Sequence, residues 1–383
     1  MKRILGFYII REITGLFLLG ITVFTLVLLM GRLIKLTELV VSRGVPFLDV
    51  TRMILYLMPS FLVFTIPMAF LLAVLLAFGR LSADNEITVI KASGVSLVQI
   101  MPPVLVCALV AALLALTSSL VGVPWGNQAF KELSFRVLKQ NAAATIDEKV
   151  FWDEIPGVIL YTDHYDERQQ TLKGVVIHDG RNPERPLTIF AKQGSVSGGN
   201  GRQALQLLLA DGSIHSAGQG AEYRLVHFGE YVMSVGGEGG AAGISLNELD
   251  LGIAELKRQI ADPATAPQAR FKMSSELHSR YSLPFASLVF AVIAVPLGIQ
   301  NRRSGKSAGF SVSIFLLLVY YLLLSLMKTI AEKGGIPIVL ALWLPNLIFM
   351  AIGWYLLCLA SLERRIPFPS PEYIAGLLKW RTR

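Results

Sequence analysis

The strongest constraint in this sequence is a set of six apolar stretches, near residues 12–31, 53–79, 98–122, 282–299, 310–327 and 336–360. Each has about the length needed to cross the hydrocarbon core of a bilayer as a helix. They fall into two groups of three, separated by the polar segment 123–275. Composition agrees, since only 16% of the 383 residues are charged, against near 25% in ordinary soluble domains. The first stretch follows Lys2 and Arg3 as a signal peptide would. Arg11 and Glu12 interrupt its approach, however, and no small-residue cleavage site follows, so it reads as a retained helix.

Charge sets the orientation. Lys2, Arg3, Arg11, Arg80, Lys91, Arg302, Arg303, Lys306 and the C-terminal Arg364, Arg365, Lys379, Arg381 and Arg383 fall on one side of the alternating spans. Arg32, Lys35, Arg43, Arg52, Lys328 and Lys333 fall on the other, and are outnumbered more than two to one. Cations in short connections stay cytoplasmic, which puts both termini there and segment 123–275 on the opposite side. The net charge of +8 then belongs to membrane flanks rather than to a nucleic-acid surface.

The insertion changes character. "GVILYTDHYD", "LKGVVIHDG", "PLTIFAKQGSVSG", "RQALQLLLADGSIHSAG" and "AEYRLVHFGEYVMSV" are β-rich segments separated by turn clusters such as "HDGRNPERP" and "SGGNG". Tyr223, Leu225, Val226 and Phe228 among polar neighbours suit an antiparallel sheet with one buried face. Regular spacing of this kind predicts a sandwich or jelly roll. The run "GGEGGAAG" reads as a flexible exit, and "SLNELDLGIAELKRQI" has helical spacing leading back to the membrane. The expected fold is therefore an α-helical membrane protein of six transmembrane helices, three plus three, with an inserted all-β, jelly-roll-like domain. Its divisions are a membrane half 1–122, the insertion 123–275 and a membrane half with its tail 276–383.

Signs of catalysis are lacking. Cys107 and Cys358 both lie in apolar runs. His164, His178, His215, His227 and His278 are scattered without metal-ligand spacing, and no G-x-S-x-G elbow is present. The pairs Asp153-Glu154 and Asp166-Glu167 sit by turn-like or strand-edge sequence, where solvated charge is the default. "NRRSGKSAGF" holds the Gly305-Lys306-Ser307 of a phosphate loop, but the glycine required five positions before Gly305 is Gln300. No catalytic residue, metal or cofactor is indicated.

Between the second and third stretches lies "GRLSADNEITVIKASGVS", residues 79–96. Ser82 suits a helix cap, Asp84 and Glu86 favour the positive end of a helix, and Gly94 suits its termination. A short cytoplasmic helix follows, and residue chemistry leaves it equally open as a connector resting on headgroups or as a docking site for a cytoplasmic partner.

"SADNEITVIKASGVS" resembles the cytoplasmic coupling segment of the LptF/LptG permease family. "MGRLIKLTELVVSRG", "LHSRYSLPFASLVFAVIAVPLGIQNRRSGKSAGF" and "ALWLPNLIF" are similar to it as well, so the resemblance covers nearly the whole chain. "ITVIKASGVS" and "PLGIQNRRSGK" lean to the LptF branch. The resemblance implies a permease subunit of an ABC-type lipopolysaccharide exporter in the Gram-negative inner membrane, without its own nucleotide site. The implied partners are a second permease, a cytoplasmic ATPase dimer, periplasmic LptC- and LptA-like β-jelly-roll proteins and lipopolysaccharide itself. It places Ser82, Asp84, Glu86, Ile87, Ile90 and Gly94 in the lever that couples to the ATPase, with Glu86 expected on the partner-facing side.

A lipid with acyl chains and phosphates calls for an apolar cavity with cations at its rim. Arg32 and Lys35, three apart at the outer end of the first span, fit that role. Arg43 and Arg52 are expected in the outer loop, and Arg136 and Lys139 just beyond the third span. Cations near helix ends also snorkel to the interface without binding anything. The alternative to an exporter is a non-transporting envelope protein whose helices anchor a β-domain for periplasmic partners.

Overall fold

The computed structural model describes residues 2–43, 46–141, 149–155, 157–166, 171–180, 186–198, 205–217, 223–235, 247–300 and 305–362. The helices are α1 (Lys2–Arg43), α2 (Phe47–Ala83), α3 (Glu86–Ala92), α4 (Leu97–Thr117), α5 (Val123–Asn141), α6 (Ile253–Ala261), α7 (Pro267–Gln300), α8 (Gly305–Glu332) and α9 (Ile338–Ser361). A π-helical turn, Ser118–Gly122, joins α4 to α5 just before Pro124, which has no N–H for the helical ladder. Among the described residues six helical segments are long and apolar enough to cross a membrane: Arg3–Gly31, Phe47–Ala83, Leu97–Ser134, Pro267–Ile299, Gly309–Glu332 and Ile338–Ser361. Several outrun the apolar stretches, so that α1 ends at Arg43 and α2 already begins at Phe47. Arg43 ends α1 and Arg52 lies inside α2, paired with Asp49 at 3.2 Å, rather than in a loop. Gly305-Lys306-Ser307 opens α8, and a helix precedes it instead of the strand a phosphate loop needs.

The chain divides into two compact units. One comprises residues 1–31, 58–124 and 251–383, the other 32–57 and 125–250. In the first, α2 is buried along Ala69–Phe78 and α7 along Ala286–Val295, as befits helices apolar all round. Helices α1, α4 and α8 expose apolar side chains such as Leu18, Leu109 and Leu322, the faces lipid would cover. Gly353 of α9 lets that helix meet α7 closely, since a Cβ there would stand 3.0 Å from the Ile293 backbone nitrogen.

One buried polar group of "ALWLPNLIF" locks three spans. Asn346, 1% exposed, donates its Nδ2 to the Ser282 carbonyl at 3.0 Å and to the Ser282 hydroxyl oxygen at 3.1 Å. Its Oδ1 accepts from the Tyr320 hydroxyl at 3.0 Å, while Ser282 Oγ donates to the Leu342 carbonyl at 2.6 Å. These contacts bind α7, α8 and α9 by hydrogen bonds that hydrocarbon cannot compete for.

In the second unit the N-terminal part of α2 packs on α5 through Val50, Met53, Leu133 and Val137. The insertion forms strands β1 (Trp152–Ile155), β2 (Val158–Asp166), β3 (Thr171–Asp179), β4 (Leu187–Gly198), β5 (Leu205–Ala217) and β6 (Tyr223–Val235). They make a single antiparallel sheet in sequential order. The expected β-domain is present, but its described strands run as a meander, without the crossing connections of a jelly roll. β1 takes in Asp153-Glu154, which composition assigned to an edge or turn.

The sheet reaches a two-sided core by creasing. Pairing keeps one register along each of four neighbouring strand pairs, yet skips Asp163 with Gly174, Gly174 with Lys192, Lys192 with Asp211, and Asp211 with Gly229. A continuous line of unpaired residues therefore crosses β2 to β6. Along it the inward face shifts by one residue: β3 buries Leu172 and then Val175 and Ile177, with two residues rather than one between the first two. Val158, Leu160, Val175, Ile177 and Ile189 from one side of the line share a core with Leu172, Leu207, Leu209 and Met233 from the other. Gly174 and Asp211 hold left-handed φ of 64° and 53° at this line. The carboxylate of Asp163 lies where a side chain on Gly174 would project. Of the β6 residues expected to be buried, Tyr223, Leu225 and Val226 are exposed, because β6 is the sheet's edge and Met233 supplies the core.

Candidate functional site

Four chain segments converge at one end of the helical unit: the first turns of α1, the end of α2, α3, and the end of α7. Ser82 is buried and donates Oγ to the Ile299 carbonyl at 2.6 Å, pinning α2 to α7. It is not the cap of the short helix, because α2 runs on to Ala83 and the N-cap position falls to Asn85, left-handed at φ 59° and without a side-chain cap bond. Gly94, φ 84°, terminates α3 as its sequence suggests. Gly94 N–H bonds the Lys91 carbonyl at 2.9 Å and Val95 N–H that of Ile90 at 3.3 Å, a Schellman closure.

The seven-residue α3 has two distinct faces. Ile87 is fully buried in the core of the helical unit, and Ile90 packs beside it. Glu86 is half-buried and directed at α1, where its Oε2 accepts from the Tyr8 hydroxyl at 2.8 Å. Glu86, expected to face outward, is thus turned to α1, and the exposed face of this segment is formed by Asp84, Asn85, Thr88, Val89 and Ala92. Val89 is 67% exposed, an apolar side chain with nothing of its own unit over it. Beneath α3, Arg80 Nη1 pairs with Glu12 Oε1 at 2.9 Å, and Arg80 Nε stands 3.9 Å from Asp84 Oδ2.

The four cations suggested for lipid phosphate lie on two helices of the second unit. Arg32 and Lys35 are on α1, three apart and so on one face of it. Arg136 is exposed on α5, next to Val137, which is buried against α2. The side chains of Arg32, Lys35 and Lys139 lie outside the described residues, so no contact among the four is established. A shallow groove of about 630 Å³ follows the sheet's crease, lined among others by Tyr161, Asp163, Phe190, Lys192, Asp211 and His227. The Asp163 carboxylate accepts from the Tyr161 hydroxyl and raises its pKa above the usual value. Among the described residues no three His, Cys, Asp or Glu side chains gather as metal ligands would.

Comparison with known proteins resolves the class. The family described as "Lipopolysaccharide export system permease LptF/LptG" matches residues 7–358. The chain belongs to the LptF/LptG family. It is 22% identical over 352 residues to lipopolysaccharide export system permease protein LptF of Escherichia coli K12, covering 90% of this chain and 92% of that protein. The same figures hold for the LptF of Shigella flexneri. An uncharacterized protein of Rickettsia prowazekii is 24% identical over 190 residues, 50% of this chain and 52% of that one. As a member of this permease family with six membrane-spanning helices, the protein is a multi-pass inner-membrane protein. Within this LptF/LptG chain no local sequence pattern points to Tyr8 or Val89. Tyr8 sits in "GFYIIRE" 78 residues from its partner, and Val89 is one apolar residue among several in α3. The available signal was helical spacing, which puts Tyr8 and Glu12 on one face of α1.

Proposed function

We propose that this protein is one permease of an ABC-type lipopolysaccharide exporter, extracting lipopolysaccharide from the outer leaflet and passing it to a periplasmic β-bridge. A second permease completes the membrane path, and a separate cytoplasmic ATPase dimer supplies the work. The observation that carries this reading, beyond family membership, is α3. It is a short helix fixed to the spans by Ile87, with Val89, Asp84 and Asn85 turned outward. A mere anchor has no use for such a docking face. Both termini and the connection between α7 and α8 are cytoplasmic in this scheme, and the β-domain is periplasmic, in accord with the charge asymmetry of the connections. Arg32, Lys35, Arg136 and Lys139 hold the lipid phosphates, and the acyl chains enter an apolar path.

Purification in detergent with identification of bound lipid and associated chains tests the scheme. Lipopolysaccharide, a second permease and a soluble ATPase should copurify. Their absence from active membranes would favour the anchor instead. Orientation is checked separately by cysteines at Ser304 and Ser197 in cells with a permeabilised outer membrane. An impermeant thiol reagent should label the second and spare the first.

A further inference from the structure

We infer that Tyr8, Glu12 and Arg80 form a latch through which α3 moves the first membrane span, a transmission role that rests on the exporter scheme and deepens it. The helix α3 lies between two left-handed residues, Asn85 and Gly94, and so is a stiff piece between two turns. Two kinds of contact hold it. Ile87 enters the apolar core, a contact without direction, whereas Glu86 grips one identified atom of α1, the Tyr8 hydroxyl at 2.8 Å. One turn along α1, Glu12 takes Arg80 at 2.9 Å, and Arg80 in turn faces Asp84 at the threshold of α3. The first turns of α1 are thus tied to both sides of the α2–α3 turn.

The latch has the properties of a part that is remade during work. Arg80 is 41% exposed, and its buried Nε has no hydrogen-bond partner, with Asp84 too distant at 3.9 Å. Asp84 is 57% exposed and belongs to the outward face of α3. A partner cation that draws Asp84 away, or presses α3 towards the membrane, changes what Arg80 and Glu86 can hold. Any such displacement is delivered to α1, because α1 is helical without a break for 42 residues. Arg32 and Lys35 follow Glu12 in the same helix, 20 and 23 residues on. The same helix therefore carries the latch at its inner end and the proposed phosphate contacts at its outer end.

The test uses the complete complex with its partner chains, in nanodiscs containing lipopolysaccharide, and measures both ATP hydrolysis and lipid released per ATP. Tyr8→Phe keeps the ring and removes only the hydroxyl. It should leave association with the ATPase and basal hydrolysis unchanged while lipid released per ATP falls by about fivefold or more. Glu12→Arg and Arg80→Glu should each lose coupling, and the two together should regain it by restoring an opposite pair. If the charge variants fail to accumulate, Tyr8→Phe decides alone. Lipid per ATP equal to wild type in Tyr8→Phe overturns the latch, as does a double swap no better than its single changes. A wild-type complex that hydrolyses ATP but releases no lipid contradicts the exporter scheme itself, which separates the two failures.

Discussion

Two of the polar clusters that join membrane helices in this protein are built on opposite terms. The Ser282, Tyr320 and Asn346 cluster is neutral and at most 1% exposed, and the Asn346 amide bonds through both its nitrogen and its oxygen. The Tyr8, Glu12, Arg80 and Glu86 cluster is charged and partly exposed, and it leaves one buried nitrogen unpaired. A closed neutral set in a dry site is costly to break and has no reason to change. An open charged set at a water boundary stabilises little and is easily re-paired. Stability and function should therefore rank the two in opposite orders.

Asn346→Leu should show the largest loss of stability, because it leaves the buried Tyr320 hydroxyl without its acceptor and removes the donor that ties α9 to Ser282. The expected loss is about 3 kcal/mol, seen as a lower thermal midpoint in detergent. A midpoint like wild type would show that the cluster locks nothing. Next comes the crease, where Gly174→Val combines a left-handed φ with a collision against Asp163. About 2 kcal/mol should appear as faster proteolysis of the β-domain, with the helical unit left intact. Arg80→Gln should cost less than about 1 kcal/mol, since the pair is partly solvated. Its export should nevertheless fall more than that of a Tyr320→Phe variant, which loses about 1 kcal/mol but keeps the latch. Val89→Asp should change stability least, within about 0.5 kcal/mol, while weakening ATPase association by tenfold or about 1.4 kcal/mol.

The six spans were legible because hydropathy reports the thickness of hydrocarbon. The same property explains the errors at their ends. Hydrogen-bonded ladders in α1, α2 and α5 continue into water, where composition no longer marks them, so Arg52 was expected in a loop that the helices consume. Likewise Ser82 has the chemistry of a cap, but its neighbours extend α2 past it and its hydroxyl finds Ile299 instead. The β-segments are readable from alternation because β2 to β5 each bury one side, whereas β6 brings Met233 to the core. The crease was not, because it appears only when pairing lines up Asp163, Gly174, Lys192, Asp211 and Gly229, single residues far apart in the chain. Charge in "SADNE" suits the start of a short helix but does not give its facing. That depends on Ile87 turning inward and on Tyr8, which no local pattern connects to Glu86.

Charge reversal or neutralisation at Arg32 and Lys35 probes the outer end of α1. Lipopolysaccharide crosslinking to a photoreactive residue at Leu36 should fall with Gln at both positions and fall further with Glu. Equal crosslinking at equal protein level would reduce these cations to membrane anchors and move the phosphate site to Arg136 and Lys139.

The most direct test of the account places a photoreactive residue at Val89 and, separately, at Ile87, in cells that are exporting lipopolysaccharide. Val89 lies on the exposed face of α3 and Ile87 is fully buried in the permease core. An adduct with a soluble ATPase chain is predicted at Val89, and only crosslinks within the permease at Ile87. Absence of the ATPase adduct at Val89 while export continues would contradict the claim that α3 is where the work of ATP hydrolysis enters this protein.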